Sequence, residues 1–184
     1  MLGEILEKTR KSGPLVHCMV NLVTANDCAN LALACGASPI MAEDLEEVEQ
    51  VTSACDGLVL NLGTPSPRKI QALLLAGKTA KKLGKPVIFD PVGAGCSDFR
   101  KEAANEIIKQ VRPDIIRGNA SEIRTLLRGS LAHRGVDAEE VAERILWTWH
   151  SCWRGGRGLW WLSPGMWILL RMEPCPTGCA MGTP

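Results

Sequence analysis

Between Leu15 and Glu122 five short apolar runs recur, and each passes directly into a segment with helical spacing. A chain built this way has few options. Successive β-then-α units join parallel strands by crossovers, so the expected product is an α/β domain: a mainly parallel sheet with helices on both faces. Leu15-Val-His-Cys-Met-Val20 reads as the first strand, and Asn21 follows at its carboxyl end. Thr24 and Asp27 have the spacing of a capping box for a helix through Cys35, which Gly36 stops. Ala37 to Met41 is a second strand whose Ser38-Pro39 suits an edge. Glu43 to Ala54 reads as a helix with acids in its first turn, its acidic face solvated. Gly57 to Gly63 is a third strand, and Ser66-Pro67 starts a helix that runs to Leu83. Lys85 to Asp90 is the fourth strand. Asp98 caps a helix through Val111, and Asp114 to Ile116 is the fifth strand.

The fourth run, Lys85-Pro-Val-Ile-Phe-Asp-Pro-Val-Gly-Ala-Gly95, ends in a carboxylate and opens at once into a glycine turn. In open α/β sheets ligands bind outside the carboxyl ends of the strands. Gly93 and Gly95 would let the backbone approach a ligand and turn amides toward an anion. A phosphate or metal site and a tight turn with a capping Asp90 are both open. Three strand ends carry polar residues of ligand type: Asn21, Asp90, and the group Arg117, Asn119 and Glu122. In a parallel sheet these converge on one edge. Asn119 with Glu122 is also a capping box. Arg117 is either a surface partner of Asp114 or a phosphate clamp. His17, inside an apolar strand, reads as a hydrogen-bonded structural histidine.

The formal net charge of +1, with Lys and Arg spread along the chain, gives no footing for nucleic-acid binding. No 18-residue apolar span occurs, so no membrane partner is expected and the protein should be cytoplasmic. Cys18, Cys28, Cys35, Cys55 and Cys96 lie singly among apolar neighbours, the pattern of reduced core cysteines and not of a disulfide frame or zinc site.

Taken together, Val16-His-Cys-Met-Val-Asn21, Gly36-Ala-Ser-Pro-Ile-Met-Ala42, Leu60-Asn-Leu-Gly-Thr64, Phe89-Asp-Pro-Val-Gly-Ala-Gly95 and Ile116-Arg-Gly-Asn-Ala-Ser-Glu-Ile123 resemble hydroxyethylthiazole kinase. The resemblance covers residues 1–144. It implies a ribokinase-like fold, and an enzyme that phosphorylates 4-methyl-5-(2-hydroxyethyl)thiazole with ATP and Mg²⁺ in thiamine salvage. It also implies a homotrimer with active sites between subunits. By that likeness Met41 and Asn21 would contact the thiazole alcohol, Arg117 would bind ATP phosphates, and Asp90 with Glu122 would organise the magnesium. Other ribokinase-like vitamin kinases are the neighbouring possibility, which the Met41 and Asn21 contexts disfavour.

Residues 145–184 have a different composition. All six Trp lie between Trp147 and Trp167, while from Ile145 onward there is one acidic residue, Glu173, and no Lys. The genetic code gives a reason. Met is only ATG and Trp only TGG; codons rebuilt from the last base of one residue and the first two of the next are partly forced. Met166-Trp167-Ile168 forces valine then aspartate, and Met172-Glu173 forces glycine. Leu162 to Glu173 then permits V-T-G-D-V-D-F-V-T-D-G, close to the V-T-G-E-V-D-Y segment that the resembled family carries at this place. Ala180 to Pro184 permits N-G-H-P, another motif of the family. The tail thus reads as a frameshifted version of the family's own gene. As written, the chain lacks the family's ATP-contacting threonine segment and its G-T-G-C anion hole, whose reactive cysteine is therefore absent; Thr177-Gly-Cys179 is given no role. The expectation is an impaired kinase, or a truncated subunit that only binds the thiazole or family trimers. One sheet edge should be unpaired, part of the apolar face uncovered, and stability marginal. A membrane-interface role for the Trp set is the rival, opposed by the break at Gly155, Gly156 and Gly158.

Overall fold

The computed structural model describes residues 2–128 together with the backbone strands at 159–162 and 167–171; the remainder of the Trp-rich tail, with Cys175 and Cys179, lies outside the described residues. In chain order the elements are α1 (Leu2–Ser12), β1 (Leu15–Met19), α2 (Ala25–Ala34), β2 (Ser38–Ile40), α3 (Val48–Ala54), β3 (Gly57–Asn61), α4 (Pro67–Lys82), β4 (Val87–Asp90), α5 (Asp98–Val111), β5 (Ile115–Gly118), α6 (Ala120–Arg128), β6 (Leu159–Leu162) and β7 (Trp167–Arg171). The five expected strands pair in parallel in the order β2-β1-β3-β4-β5. β2, with its Pro39, is the edge strand that its sequence suggested.

Alternation along the strands decides what the sheet buries. Leu58 and Leu60 of β3, Val87 and Phe89 of β4 and Ile116 of β5 are buried in one core with Val48, Ile70, Leu73, Ala76, Ile107 and Ile123. The helices that supply those residues pack in series, α3 on α4, α4 on α5 and α5 on α6. Gly77 is what lets α4 approach α5 so closely, since a Cβ there would stand 2.5 Å from a methyl of Val111. The opposite-parity residues Val59, Ile88 and Ile115 are only half-buried, and α2 buries none of its residues. Part of the apolar surface is thus uncovered among the described residues.

Several local expectations are corrected by the geometry. Ser97, not Asp98, caps α5, its hydroxyl accepting from the Arg100 amide at 3.3 Å. Thr24 stands at the start of α2 but makes no cap bond; its amide and hydroxyl both donate to Asn21 Oδ1. The helix expected from Glu43 begins only at Val48. Asp44 instead closes a turn, Oδ1 accepting from the Glu46 amide, because a short carboxylate competes for local amides. Nor is the acidic face simply solvated: Glu43 pairs with Lys69 and Asp44 with Arg68. Of the five cysteines only Cys18 and Cys55 are buried, while Cys96 is exposed.

The far edge of the sheet also differs from expectation. β7 runs antiparallel along β5, from Ile115 opposite Arg171 to Gly118 opposite Ile168, and β6 pairs with β7. Strand pairing is made by backbone groups, so covering an edge places few demands on the sequence of the covering segment.

Candidate active site

The order β2-β1-β3-β4-β5 reverses direction at β1, so the crevice outside the carboxyl ends of β1 and β3 is a topological switch point, where open α/β sheets bind ligands. Asn21 and Asn61 meet there, Asn21 Nδ2 donating to Asn61 Oδ1 at 3.4 Å. The same Asn61 oxygen accepts from the Gly63 amide at 2.8 Å. Gly63 has to be glycine, because a Cβ would lie 2.5 Å from Asn21 Cβ and 2.7 Å from Asn61 Oδ1. Asn21 Oδ1 accepts from the amides of Val23 and Thr24, which ties down the loop after β1. Met41, just past β2, is exposed.

Asn61 is directly opposite Asp90 in the β3–β4 register. Asp90 is buried; its Oδ2 accepts from Arg117 Nη1 at 2.6 Å, and its Oδ1 is buried without a hydrogen-bond partner. Arg117 lies within β5, not in the turn beyond it, and its partner is Asp90. The Asp114 carboxylate accepts from Lys81 Nζ at 2.6 Å and from the Val87 amide at 2.8 Å.

Glu122 makes the reciprocal capping box with Asn119: the Glu122 amide donates to Asn119 Oδ1 at 2.9 Å, and the Asn119 amide donates to Glu122 Oε2 at 2.8 Å. Its other oxygen accepts from the Gly93 amide at 3.0 Å. The anion that the Gly93 amide meets, at φ +70, is therefore the chain's own Glu122 carboxylate and not a ligand. The result is that Glu122 locks the turn after Asp90 to the start of α6.

Two cations that the sequence reading passed over complete the edge. Arg100 Nη1 donates to the carbonyls of Leu62, at 3.2 Å, and Val92, at 3.1 Å, bridging the loops after β3 and β4. Lys69, 5 % exposed, donates to the Val20 carbonyl at 2.8 Å. The signal was present. Lys69 stands on one stripe with Leu73, Ala76 and Ala80, and Arg100 on one with Ala103, Ala104, Ile107 and Val111, so each is a charge at an inward position of its helix.

His17 is fully buried, with Nε2 2.9 Å from the Ala42 carbonyl and Nδ1 2.9 Å from Thr52 Oγ1. A carbonyl only accepts, so Nε2 carries the proton. Burial pushes the His17 pKa down, a shift only partly opposed by the bond to Ala42. The ring is the structural histidine expected, and it joins β1 to α3 and to the segment after β2.

Magnesium binds through one or two carboxylates and keeps much of its water. Asp90, with a buried and unpartnered oxygen, fits a direct ligand. Glu122, both of whose oxygens already accept amides, fits a partner for metal-bound water. No cluster of three or more His, Cys, Asp or Glu side chains suited to an all-protein metal cage occurs among the described residues.

This geometry can be set beside known proteins. The profile of the hydroxyethylthiazole kinase family matches residues 6–152. The chain belongs to that family. Hydroxyethylthiazole kinase of Clostridium acetobutylicum is 52 % identical over 139 residues, which is 76 % of this chain and 51 % of that protein. The enzyme of Exiguobacterium sibiricum is 48 % identical over 147 residues, 80 % of this chain and 57 % of that one. Among solved structures, the hydroxyethylthiazole kinase of Pyrococcus horikoshii OT3 superposes with a TM-score of 0.65 at 41 % identity, over 67 % of this chain and 48 % of that one. The chain spans about half the length of the family members it matches. The parallel α/β sheet is that of the family's solved member, and its relatives are kinases.

Proposed function

We propose that these residues form the acceptor and metal side of a hydroxyethylthiazole kinase, which transfers the terminal phosphoryl group of ATP to the hydroxyl of 4-methyl-5-(2-hydroxyethyl)thiazole. The observation that carries this reading is Asp90. Its carboxylate is buried at the carboxyl edge of the sheet, held on one oxygen by Arg117 and unpartnered on the other, a state that a cation relieves.

In such a transfer the bond from the terminal phosphorus to the bridging oxygen breaks and the bond to the alcohol oxygen forms. The hydroxyl proton is released and ADP leaves. There is little covalent work for the protein, so positioning and charge neutralisation dominate. Asn21, at the carboxyl end of β1, and Met41, just past the neighbouring edge strand β2, hold the thiazole alcohol. Arg117, 42 % exposed beside Asp90, turns toward the ATP phosphates. Asp90 and Glu122 hold Mg²⁺, which supplies positive charge to the phosphates when bound. No catalytic base is assigned.

The oligomer in this reading is the homotrimer that the resemblance implies, and the protein is cytoplasmic. Leu22, Val23, Leu31 and Leu33 are exposed around an α2 that buries nothing, which suits a surface covered by another subunit. No helix among the described residues is long and apolar enough to cross a membrane. We further propose that residues 145–184 are a shifted reading frame appended to a kinase domain of residues 1–144. With the V-T-G segment replaced in the shifted frame, the 184-residue polypeptide binds the thiazole alcohol but turns it over poorly.

Calorimetry with the thiazole alcohol, a coupled ATP-consumption assay and a panel of vitamin alcohols test this together. Saturable thiazole binding with little turnover is expected. Preference for another alcohol overturns the substrate, and turnover at the rate of the full-length relatives overturns the impairment. Resequencing across codons 140–150 and past codon 184 decides where the shift arises: one base missing or extra relative to the given read makes the tail an artefact of the read, and an unchanged read means that the gene itself is broken or recoded.

A further inference from the structure

We infer that Lys69 is a positioning residue for the acceptor pocket: its buried ammonium clamps together the two segments that carry Asn21 and Met41. The inference rests on the proposed thiazole-binding role of those two residues. Lys69 lies in the first turn of α4, yet only 5 % of it is exposed. Its Nζ donates to the carbonyl of Val20, the residue before Asn21, at 2.8 Å. It also pairs at 2.9 Å with Oε1 of Glu43, two residues after Met41. Between Met41 and Glu43, the carbonyl of Ala42 accepts from buried His17 of β1.

An ammonium in this place is costly twice over. It has lost its water, and the helix amino terminus disfavours positive charge. Burial of Leu, Ile or Met there would stabilise α4 at least as well, since a buried ion pair seldom outperforms an apolar replacement. What an apolar side chain cannot do is hold a carbonyl and a carboxylate in fixed relation. The segment after β2 needs such a tie. β2 is a three-residue edge strand containing a proline, joined to β1 through three paired positions, and it ends just before Met41. Lys69 fixes that segment to the carboxyl end of β1. It reaches this position from α4, an element of the main core.

The test uses the 184-residue chain and two variants, Lys69→Met and Glu43→Gln, with thiazole affinity read by calorimetry and amide hydrogen exchange read by peptide mass. Lys69→Met should weaken the thiazole alcohol roughly tenfold to a hundredfold, the scale of ligand misplacement by about an ångström. Exchange should quicken in residues 19–24 and 40–46 and stay unchanged in β4. Glu43→Gln keeps an acceptor oxygen and the fold; it should quicken exchange only in 40–46 and weaken the ligand several-fold less. Unchanged exchange in both segments, a uniform quickening across the sheet, or local quickening with full thiazole affinity overturns the inference. If the unsubstituted chain binds no thiazole, the proposed function falls. Exchange then decides the clamp alone: quickening confined to the two segments upholds it, and any other pattern ends it.

Discussion

Replacing Asp90 with Asn separates what stabilises the fold from what serves the site. As it stands, one Asp90 oxygen accepts from Arg117 at 2.6 Å and the other is buried with no partner. Leaving a buried polar atom unsatisfied costs about 1–3 kcal/mol, more for a charged group than for an amide. Against this, the bond to Arg117 is worth about 0.5–1 kcal/mol once discounted for solvent, because the Arg117 side chain is 42 % exposed. Asn keeps an acceptor for Arg117 and removes the buried charge. The two effects oppose, and the desolvation cost is the larger, so D90N should be neutral or stabilised by up to about 1 kcal/mol. That corresponds to a rise in Tm of about 2–4 °C for a chain of this size. The assay is a thermal melt in the presence of a chelator, repeated with millimolar Mg²⁺. Added Mg²⁺ should raise the Tm of the unsubstituted chain and leave D90N unmoved, since only a ligand that binds the native state shifts the midpoint. A fall of more than about 4 °C for D90N would show that the carboxylate is structural. Equal stabilisation of both proteins by Mg²⁺ would refute Asp90 as the metal ligand.

Burial holds His17 neutral by depressing its pKa below the ordinary value of about 6.5. Its contribution is therefore complete above that value and lost as pH falls through the depressed one. Urea unfolding at pH 8 and pH 5 should show a larger loss for the native chain than for H17Q, and parallel losses would contradict the reading. Gly77→Val should cost about 1–3 kcal/mol by overpacking the α4–α5 contact with Val111, checked by the urea midpoint; an unchanged midpoint would show that the helices separate freely. Alkylation with peptide mapping should label exposed Cys96 first. Cys18 and Cys55, whose thiols are pushed toward higher pKa by burial, should react only as the chain unfolds, and early labelling of Cys18 would count against its place in the core.

The strand–helix alternation was legible because the strands are mainly apolar runs and the longest helix, α4, begins where Ser66 and Pro67 stand. The meeting of Asp90 with Arg117 was legible as a convergence on one edge, since parallel strands put every carboxyl end on the same side. Which partner each residue takes was not. Arg117 and Asp114 are near in sequence, but Asp114 is claimed by Lys81 and the Val87 amide, groups distant in sequence. Gly93 looked like an amide open to a ligand anion because the sequence does not show that Glu122, 29 residues on, accepts from it. Lys69 and Arg100 were missed for a different reason: a cation in the first turn of a helix reads as surface unless its spacing against the apolar stripe is counted.

Those two cations bear on how much of the site depends on the far edge of the sheet. Lys69 bonds the end of β1, and Arg100 bonds the loops after β3 and β4, so the crevice floor is tied to α4 and α5 and to the core they share. Nothing in that set lies beyond β4 in the sheet. Arg117 and Glu122 are the exceptions, on β5 and α6, the two elements of the site that contact β7. Disturbance at that edge therefore reaches the proposed phosphate and metal side of the site before it reaches the proposed acceptor side. A polypeptide with this tail should keep its hold on an alcohol better than its hold on a nucleotide, because the scaffolds of the two half-sites end on different strands.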